Sequence, residues 1–152
     1  MADIVPADVR SRMMSGIRGT DTKPEQLLRK GLHAQGFRFR LHDRMLPGKP
    51  DIVLSRYRAV IFAHGCFWHG HDCHMFRWPS TREAYWRKKI GGNRERDTRS
   101  EEALREAGWR CAVIWECALR GRGRLPFSLV IDRLANWLKE GGDFLEITGK
   151  ID

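Results

Sequence analysis

An uninterrupted apolar run, Ala59-Val60-Ile61-Phe62-Ala63, is followed at once by His64-Gly65-Cys66-Phe67-Trp68-His69-Gly70-His71-Asp72-Cys73-His74. A short continuous apolar segment closed by polar residues and Gly reads as a buried strand. The polar and aromatic groups then leave the sheet together at its end, where α/β folds place their chemistry. Those eleven residues hold four of the six histidines and two of the four cysteines, with a Phe-Trp pair among them. A histidine-rich surface loop has little reason to carry Cys, Phe and Trp as well, because an exposed Phe-Trp pair lowers solubility. The stretch is a site, and the rest of the chain must supply the sheet that supports it.

Pro6 to Gly16 suits a short helix, poor in apolar residues but carrying Arg10, Arg12, Met13 and Met14. It reads either as an arm lying on a partner or as a frayed terminus. Thr22-Lys23-Pro24-Glu25 has the form of a capping box and opens a helix that ends at Gly36. Phe37 to Leu41 alternates as a strand with one buried and one basic face. Two prolines in Met45 to Pro50 exclude a central strand there. Asp51 to Leu54 then forms a hairpin with the apolar run, bringing Asp51 near His64. Ser80-Thr81-Arg82-Glu83 is a second capping box, with a helix to Ile90, a break at Gly91-Gly92, and a further helix capped by Asn93 that runs through Asp97 to Gly108. Trp109 to Trp115 is another buried strand, and Pro126 opens an amphipathic helix. The acidic segment after Gly141 reads as a loose tail. The expected fold is α/β, a mixed central sheet flanked by helices in one domain over residues 1–152, with an N-terminal helical arm (1–20) and a flexible tail (143–152).

The net charge of +9 is uneven: residues 1–50 carry +5 and residues 77–124 carry +6, whereas 51–76 are neutral. Positive charge, mostly arginine, therefore flanks the site. Arginine favours planar, bidentate contact with phosphate, which points to a polyanion and above all to nucleic acid. Neither a bilayer-length apolar run nor a signal-like N-terminus is present, since Asp3 and Asp8 interrupt the first residues; a cytoplasmic protein without membrane partners is expected. In a reducing compartment four irregularly spaced cysteines serve better as thiols or metal ligands than as disulfides.

Two constellations follow. Cys66, His71 and Cys73 are close in sequence and Cys117 leaves a neighbouring strand end, so four N/S donors converge on a tetrahedral metal, for which zinc is the expected occupant. His69, Asp72 and His74 compete for those places, and Cys111, inside a strand, reads as a small buried hydrophobe. Asp51, His64 and His69 remain for chemistry. A carboxylate, imidazole and Mg²⁺ together supply what phosphodiester hydrolysis needs: charge on the non-bridging oxygens, an attacking water and a base. The residues alone leave Glu25 as a cap and Asp51 as either a ligand or a turn residue.

Leu46-Pro47-Gly48-Lys49-Pro50-Asp51, Val60 to His69, and Ile114-Trp115-Glu116-Cys117-Ala118-Leu119-Arg120-Gly121 strongly resemble the very short patch repair endonucleases, over nearly the whole chain. The resemblance implies a modified restriction-endonuclease-like core, and an enzyme that nicks DNA beside a T:G mismatch arising from deaminated 5-methylcytosine. It makes Asp51 the catalytic Mg²⁺ ligand together with the main-chain carbonyl of Ala63, and His69 the base. His64, Glu25 and Asp97 form the supporting network. The family commonly has Thr at Ala63, which a main-chain contribution tolerates. Its loop also holds more histidines than Gly70 and Asp72 supply here. Cys66, His71, Cys73 and Cys117 match its structural zinc ligands, while Phe67, Trp68 and Trp86, with Met14 of the arm, match residues inserted between base pairs. The implied protein is a monomer acting on double-stranded DNA, functionally linked to a cytosine-5 DNA methyltransferase and to mismatch-repair proteins. The competing readings are a related nicking nuclease with another target and a non-catalytic, zinc-containing DNA-binding protein.

Overall fold

The structure, a computed structural model, describes residues 22–150. The expected arm, with Arg10, Arg12, Met13 and Met14, lies outside them.

Helix α1 (Lys23–Ala34) begins as its sequence dictates: the Thr22 hydroxyl accepts the Glu25 N–H at 3.4 Å, and Pro24 lies in the first turn. It is followed by β1 (Arg40–Leu41), β2 (Ile52–Leu54), a short 3₁₀ turn (Ser55–Tyr57) and β3 (Ala59–His64). After the loop come α2 (Glu83–Glu106), β4 (Arg110–Trp115), the single-turn α3 (Glu116–Leu119), α4 (Phe127–Glu140) and β5 (Phe144–Ile147). The sheet order is β1-β2-β3-β4-β5; the first three strands are antiparallel and the last three parallel. This is the expected mixed sheet between helices.

Side-chain alternation along the strands divides the core. Ile52, Leu54, Ala59, Ile61, Ala112 and Ile114 face one side, where Leu28 and Leu32 of α1 and Val130, Ile131, Leu134 and Leu138 of α4 cover them. Val53, Val60, Phe62, Cys111, Val113 and Trp115 face the other, with Leu104 of α2. Both faces of β3 are therefore buried, and a strand so placed reads as a continuous apolar run.

Three expectations need correction. Gly91-Gly92 does not break the helix: α2 runs unbroken through it. Two glycines cost about 2 kcal/mol of helix propensity, but Ile90 is fully buried and Asn93, expected as a cap, donates from Nδ2 to the Trp68 carbonyl at 2.8 Å, so docking onto the loop holds the helix together. Its start is not a capping box either; Arg82 sits at the N-cap with φ 55° and no side-chain cap. The acidic tail is not loose. Phe144–Ile147 pairs in parallel with β4, Ile147 is buried, and the following Gly149 packs on Cys117. Four residues with a single charge among them give too weak an alternation to read as a strand without the β4 edge on which they dock. A smaller difference concerns Phe37 to Leu41, where only Arg40–Leu41 pairs, because Phe37 turns in to pack on Tyr57.

Candidate active site and metal centre

The carboxyl ends of β3 and β4 lie side by side, with His64 in register with Trp115. The loop leaving β3 folds into tight turns, in which His69 N–H reaches the Gly65 carbonyl at 3.3 Å and His71 N–H the Cys66 carbonyl at 2.9 Å. At Gly70, φ is +60° and a Cβ would lie 2.7 Å from the Ile90 side chain, so only glycine allows the loop to press against α2.

On one side of the loop Cys66, His71, Cys73 and Cys117 bring their ligand atoms within 4.8 Å of one another. The Cys66 and Cys117 sulfurs each lie 3.6 Å from His71 Nδ1. Zinc bonds of about 2.3 Å to sulfur and 2.0 to 2.1 Å to nitrogen, at a tetrahedral angle, separate the two donors by about 3.6 Å, so the donor set fits that ion. Main-chain N–H groups support the sulfurs: Gly149 donates to Cys117 at 3.2 Å and Met75 to Cys73 at 3.4 Å. Burial raises the Cys66 and Cys117 thiols and lowers His71. The imidazole is thus neutral and ready to ligate, and the thiolates require a cation. Cys111, buried in β4, stands apart from this cluster.

On the other side of the strand end lies a carboxylate pair. The Asp51 carboxylate accepts the Ala63 N–H at 2.7 Å across the hairpin. Glu25 is buried against it. Burial first, then hydrogen bonding with and repulsion from Glu25, raise Asp51 to about 8, while the Ala63 N–H and Arg29 work in the opposite direction. Oxygen donors that share a proton when no cation is near, beside a main chain already in contact, suit a hard divalent ion. Glu25 is therefore both the partner of Asp51 and a residue at the helix cap. His42 completes the group, its Nδ1 lying 3.9 Å from Asp51 and its Nε2 accepting from Arg29 at 2.9 Å. Sequence reasoning missed His42 and Arg29. His42 follows β1 with φ 49° and no periodic pattern, and only the pairing of β1 with β2, continued by its N–H to the Asp51 carbonyl, carries it to Asp51.

The histidines join the two sides. His69 Nδ1 lies 2.5 Å from Asp97 of α2 and donates to it, which leaves Nε2 as the basic nitrogen. His64 stacks on His69 at 3.9 Å, nearly parallel. Burial, followed by the neighbouring His69, lowers His64 to about 3, so it is uncharged at neutral pH. Next to the histidines, Phe67, Trp68 and Trp86 form a mutually packed aromatic triad. Its members differ: Trp68 is 9% exposed and belongs to the interior, whereas Phe67 and Trp86 are half-buried. The resemblance sets Trp68 beside Phe67 and Trp86 as an inserting residue; its burial makes it part of the packed interior as well.

The carboxylates, His42, His64, His69, Asp97 and the aromatic triad line one open cleft of about 1450 Å³, together with Arg44, Lys49, Lys89, Arg96, Arg99 and Arg120. The neutral stretch of sequence is thus walled by the basic segments on either side of it. Glu116 links cleft and loop, since it accepts the Cys66 N–H at 3.2 Å and Arg120 at 3.1 Å. Among the described residues no helix is long and apolar enough to cross a membrane.

A family profile described as DNA mismatch endonuclease Vsr matches residues 2–75. The DNA mismatch endonuclease Vsr of Escherichia coli K12 is 48% identical to this chain over 138 residues, covering 91% of the chain and 88% of that protein. The type II nicking enzyme V.XorIIP of Xanthomonas oryzae is 48% identical over 129 residues, covering 85% and 95%. The type II nicking enzyme V.NmeAIP of Neisseria meningitidis is 46% identical over 122 residues, covering 80% and 87%.

Proposed function

Because this chain belongs to the family of the DNA mismatch endonuclease Vsr, we propose that it hydrolyses one phosphodiester bond of duplex DNA beside a T:G mismatch and so initiates repair of deaminated 5-methylcytosine. The observation that carries this reading is the His69–Asp97 pair, 2.5 Å apart, in the same basic cleft as the Asp51–Glu25 carboxylates. A family of nucleases supplies the reaction class, and the cleft supplies a base, a cation site and a cationic wall for the phosphates.

In this reading the Asp51 carboxylate and the main-chain carbonyl of Ala63 would hold Mg²⁺, which would supply positive charge for the non-bridging phosphate oxygens. His69 Nε2 takes the proton of the attacking water, and Asp97 holds the ring in that tautomer and stabilises the imidazolium that results. As the oxygen–phosphorus bond to water forms, the bond to the leaving strand oxygen breaks, and that oxygen takes up a proton. His64, its basicity lowered by burial and by the neighbouring His69, is a poor competitor for the water's proton; its ring covers one face of His69. Cys66, His71, Cys73 and Cys117 would hold a structural zinc ion, tying the loop to α3. Phe67 and Trp86 enter the base stack, where a mispaired step costs less to open, and Trp68 is the floor they rest on. Met14 is assigned with them from the resemblance alone.

The test is nicking of a panel of end-labelled duplexes with Mg²⁺. A single nick in the T strand of a T:G duplex, with the T:A duplex left intact, is the expected result. Preference for another lesion would instead support a nicking nuclease with a different target, in line with the names of two of the relatives. Binding without cleavage under every divalent ion would return the protein to a DNA-binding role.

A further inference from the structure

Trp115 is the last residue of β4, and three histidine rings surround it. One face of the indole lies on His71 at 4.0 Å and 10°. Its edge contacts His64 at 5.2 Å and 70° and His69 at 6.1 Å and 76°. The indole N–H donates to the Glu146 carboxylate at 2.7 Å. Glu146 stands on β5, which pairs with β4 through Val113↔Glu146 and Ile114↔Ile147. The fifth strand is thus joined by this hydrogen bond to the indole that packs against the three histidines.

An imidazole held only through Nδ1 can pivot about that bond. For His69, the His64 ring on one face and the Trp115 edge beside it close off the pivot. The indole can hold this position only while its own rotation is fixed, and a ring with a single N–H has one hydrogen bond with which to fix it. We propose that Trp115, fixed by Glu146, is a positioning residue for the His64–His69 pair, transmitting the geometry of the His71 centre to the base. The proposal rests on the reading of His69 as that base. Glu146 is exposed, so removing its side chain spares the core.

The experiment compares Glu146→Ala, Glu146→Gln and His69→Ala in the zinc-loaded full chain, on a T:G duplex with Mg²⁺. Glutamine keeps the acceptor and removes the charge, so it separates the hydrogen bond from electrostatics at His71. Glu146→Ala is expected to lower kcat about 10-fold, the order of effect of a small misplacement of a reacting group. KM, zinc stoichiometry and melting temperature should stay near wild type, and Glu146→Gln should recover most of the turnover. The His69 ring C–H resonance should move in the alanine variant and return in the glutamine one. Unchanged turnover and resonance in Glu146→Ala, a fall only in step with zinc loss or melting, or a glutamine variant as impaired as alanine would each overturn the proposal. Wild-type turnover by His69→Ala would overturn the underlying assignment of the base instead, whatever Glu146 does.

Discussion

The buried carboxylate pair should destabilise the metal-free protein, and Asp51→Asn should reveal by how much. The substitution is nearly isosteric and retains an oxygen for the Ala63 N–H, 2.7 Å away, while removing the charge that faces Glu25. Asp51 is raised from 3.8 to about 8 in the folded chain. Between those values the native state therefore binds more protons than the unfolded state, and stability falls as pH rises, levelling off above about 8. At pH 7 roughly three pH units separate the unfolded value from the solution, and at about 1.4 kcal/mol each they set a ceiling of about 4 kcal/mol. The side chain is 18% exposed, so we expect about half of that. For a domain of this size, about 2 kcal/mol corresponds to a rise in Tm of roughly 4 to 8 °C. Differential scanning fluorimetry in chelator-free, magnesium-free buffer, with zinc retained, should give Asp51→Asn a Tm modestly above wild type at pH 5.5, where the linkage has only begun, and a clearly larger gap at pH 8.5. Adding Mg²⁺ should then stabilise the wild type, by about 2.7 kcal/mol at a hundredfold excess over Kd, and leave the variant unmoved. A Tm difference that stays flat from pH 5.5 to 8.5, or equal stabilisation of both proteins by Mg²⁺, would refute the reasoning.

Trp68→Ala should cost about 3 to 5 kcal/mol of stability, as for a buried Trp, whereas Phe67→Ala and Trp86→Ala should melt near wild type and lose about 1 to 3 kcal/mol of T:G duplex binding; paired melting and affinity measurements check both. Cys73→Ala or Cys117→Ala should release zinc and lower Tm, while Cys111→Ala keeps the metal, as elemental analysis would show. Gly149→Ala should also lower Tm and weaken zinc retention, because its Cβ would lie 2.2 Å from the Cys117 carbonyl oxygen; wild-type melting would show that the chain after β5 does not clasp the metal centre. Asp51→Asn should abolish nicking and leave duplex binding largely intact, measured by gel shift beside the cleavage assay.

What was legible in the sequence was what lies close along the chain. The strand Ala59–His64 announces itself because both of its faces are buried, and the loop after it carries most of the zinc-type donors within eight residues. The hairpin read from the sequence brought Asp51 near His64, and the pairing of β2 with β3 sets its carboxylate on the Ala63 N–H. Residues brought in by distant pairing were not legible. His42 reaches Asp51 through a two-residue strand, and Glu146 reaches Trp115 through the parallel edge of β4; neither position has a periodicity of its own. Glu25 and Asp97 drew their expected roles from the resemblance, since a helix cap and a charged helix face were the simpler local readings. The Gly91-Gly92 signal misled because its local cost is smaller than the anchoring of Ile90 and Asn93 beside it.

Four consecutive residues at the end of β3 divide two opposed tasks. The Ala63 main chain faces the carboxylate pair, the His64 ring packs on the base, and Cys66 after Gly65 belongs to the metal centre. The first two interactions gather like charges and stacked imidazoles in a cleft, an arrangement that opposes folding until a cation and a phosphate arrive. The third works the other way. Ligation of a thiolate-rich centre contributes folding free energy, and it acts on the same short loop. Because Cys117 comes from α3, Gly149 from beyond β5 and the Trp68 contact from Asn93 of α2, that contribution is spread over three parts of the chain outside the loop itself. The active-site residues are thereby held in place by bonds that catalysis does not use, so the loop can carry polar, mutually repelling groups without loss of shape.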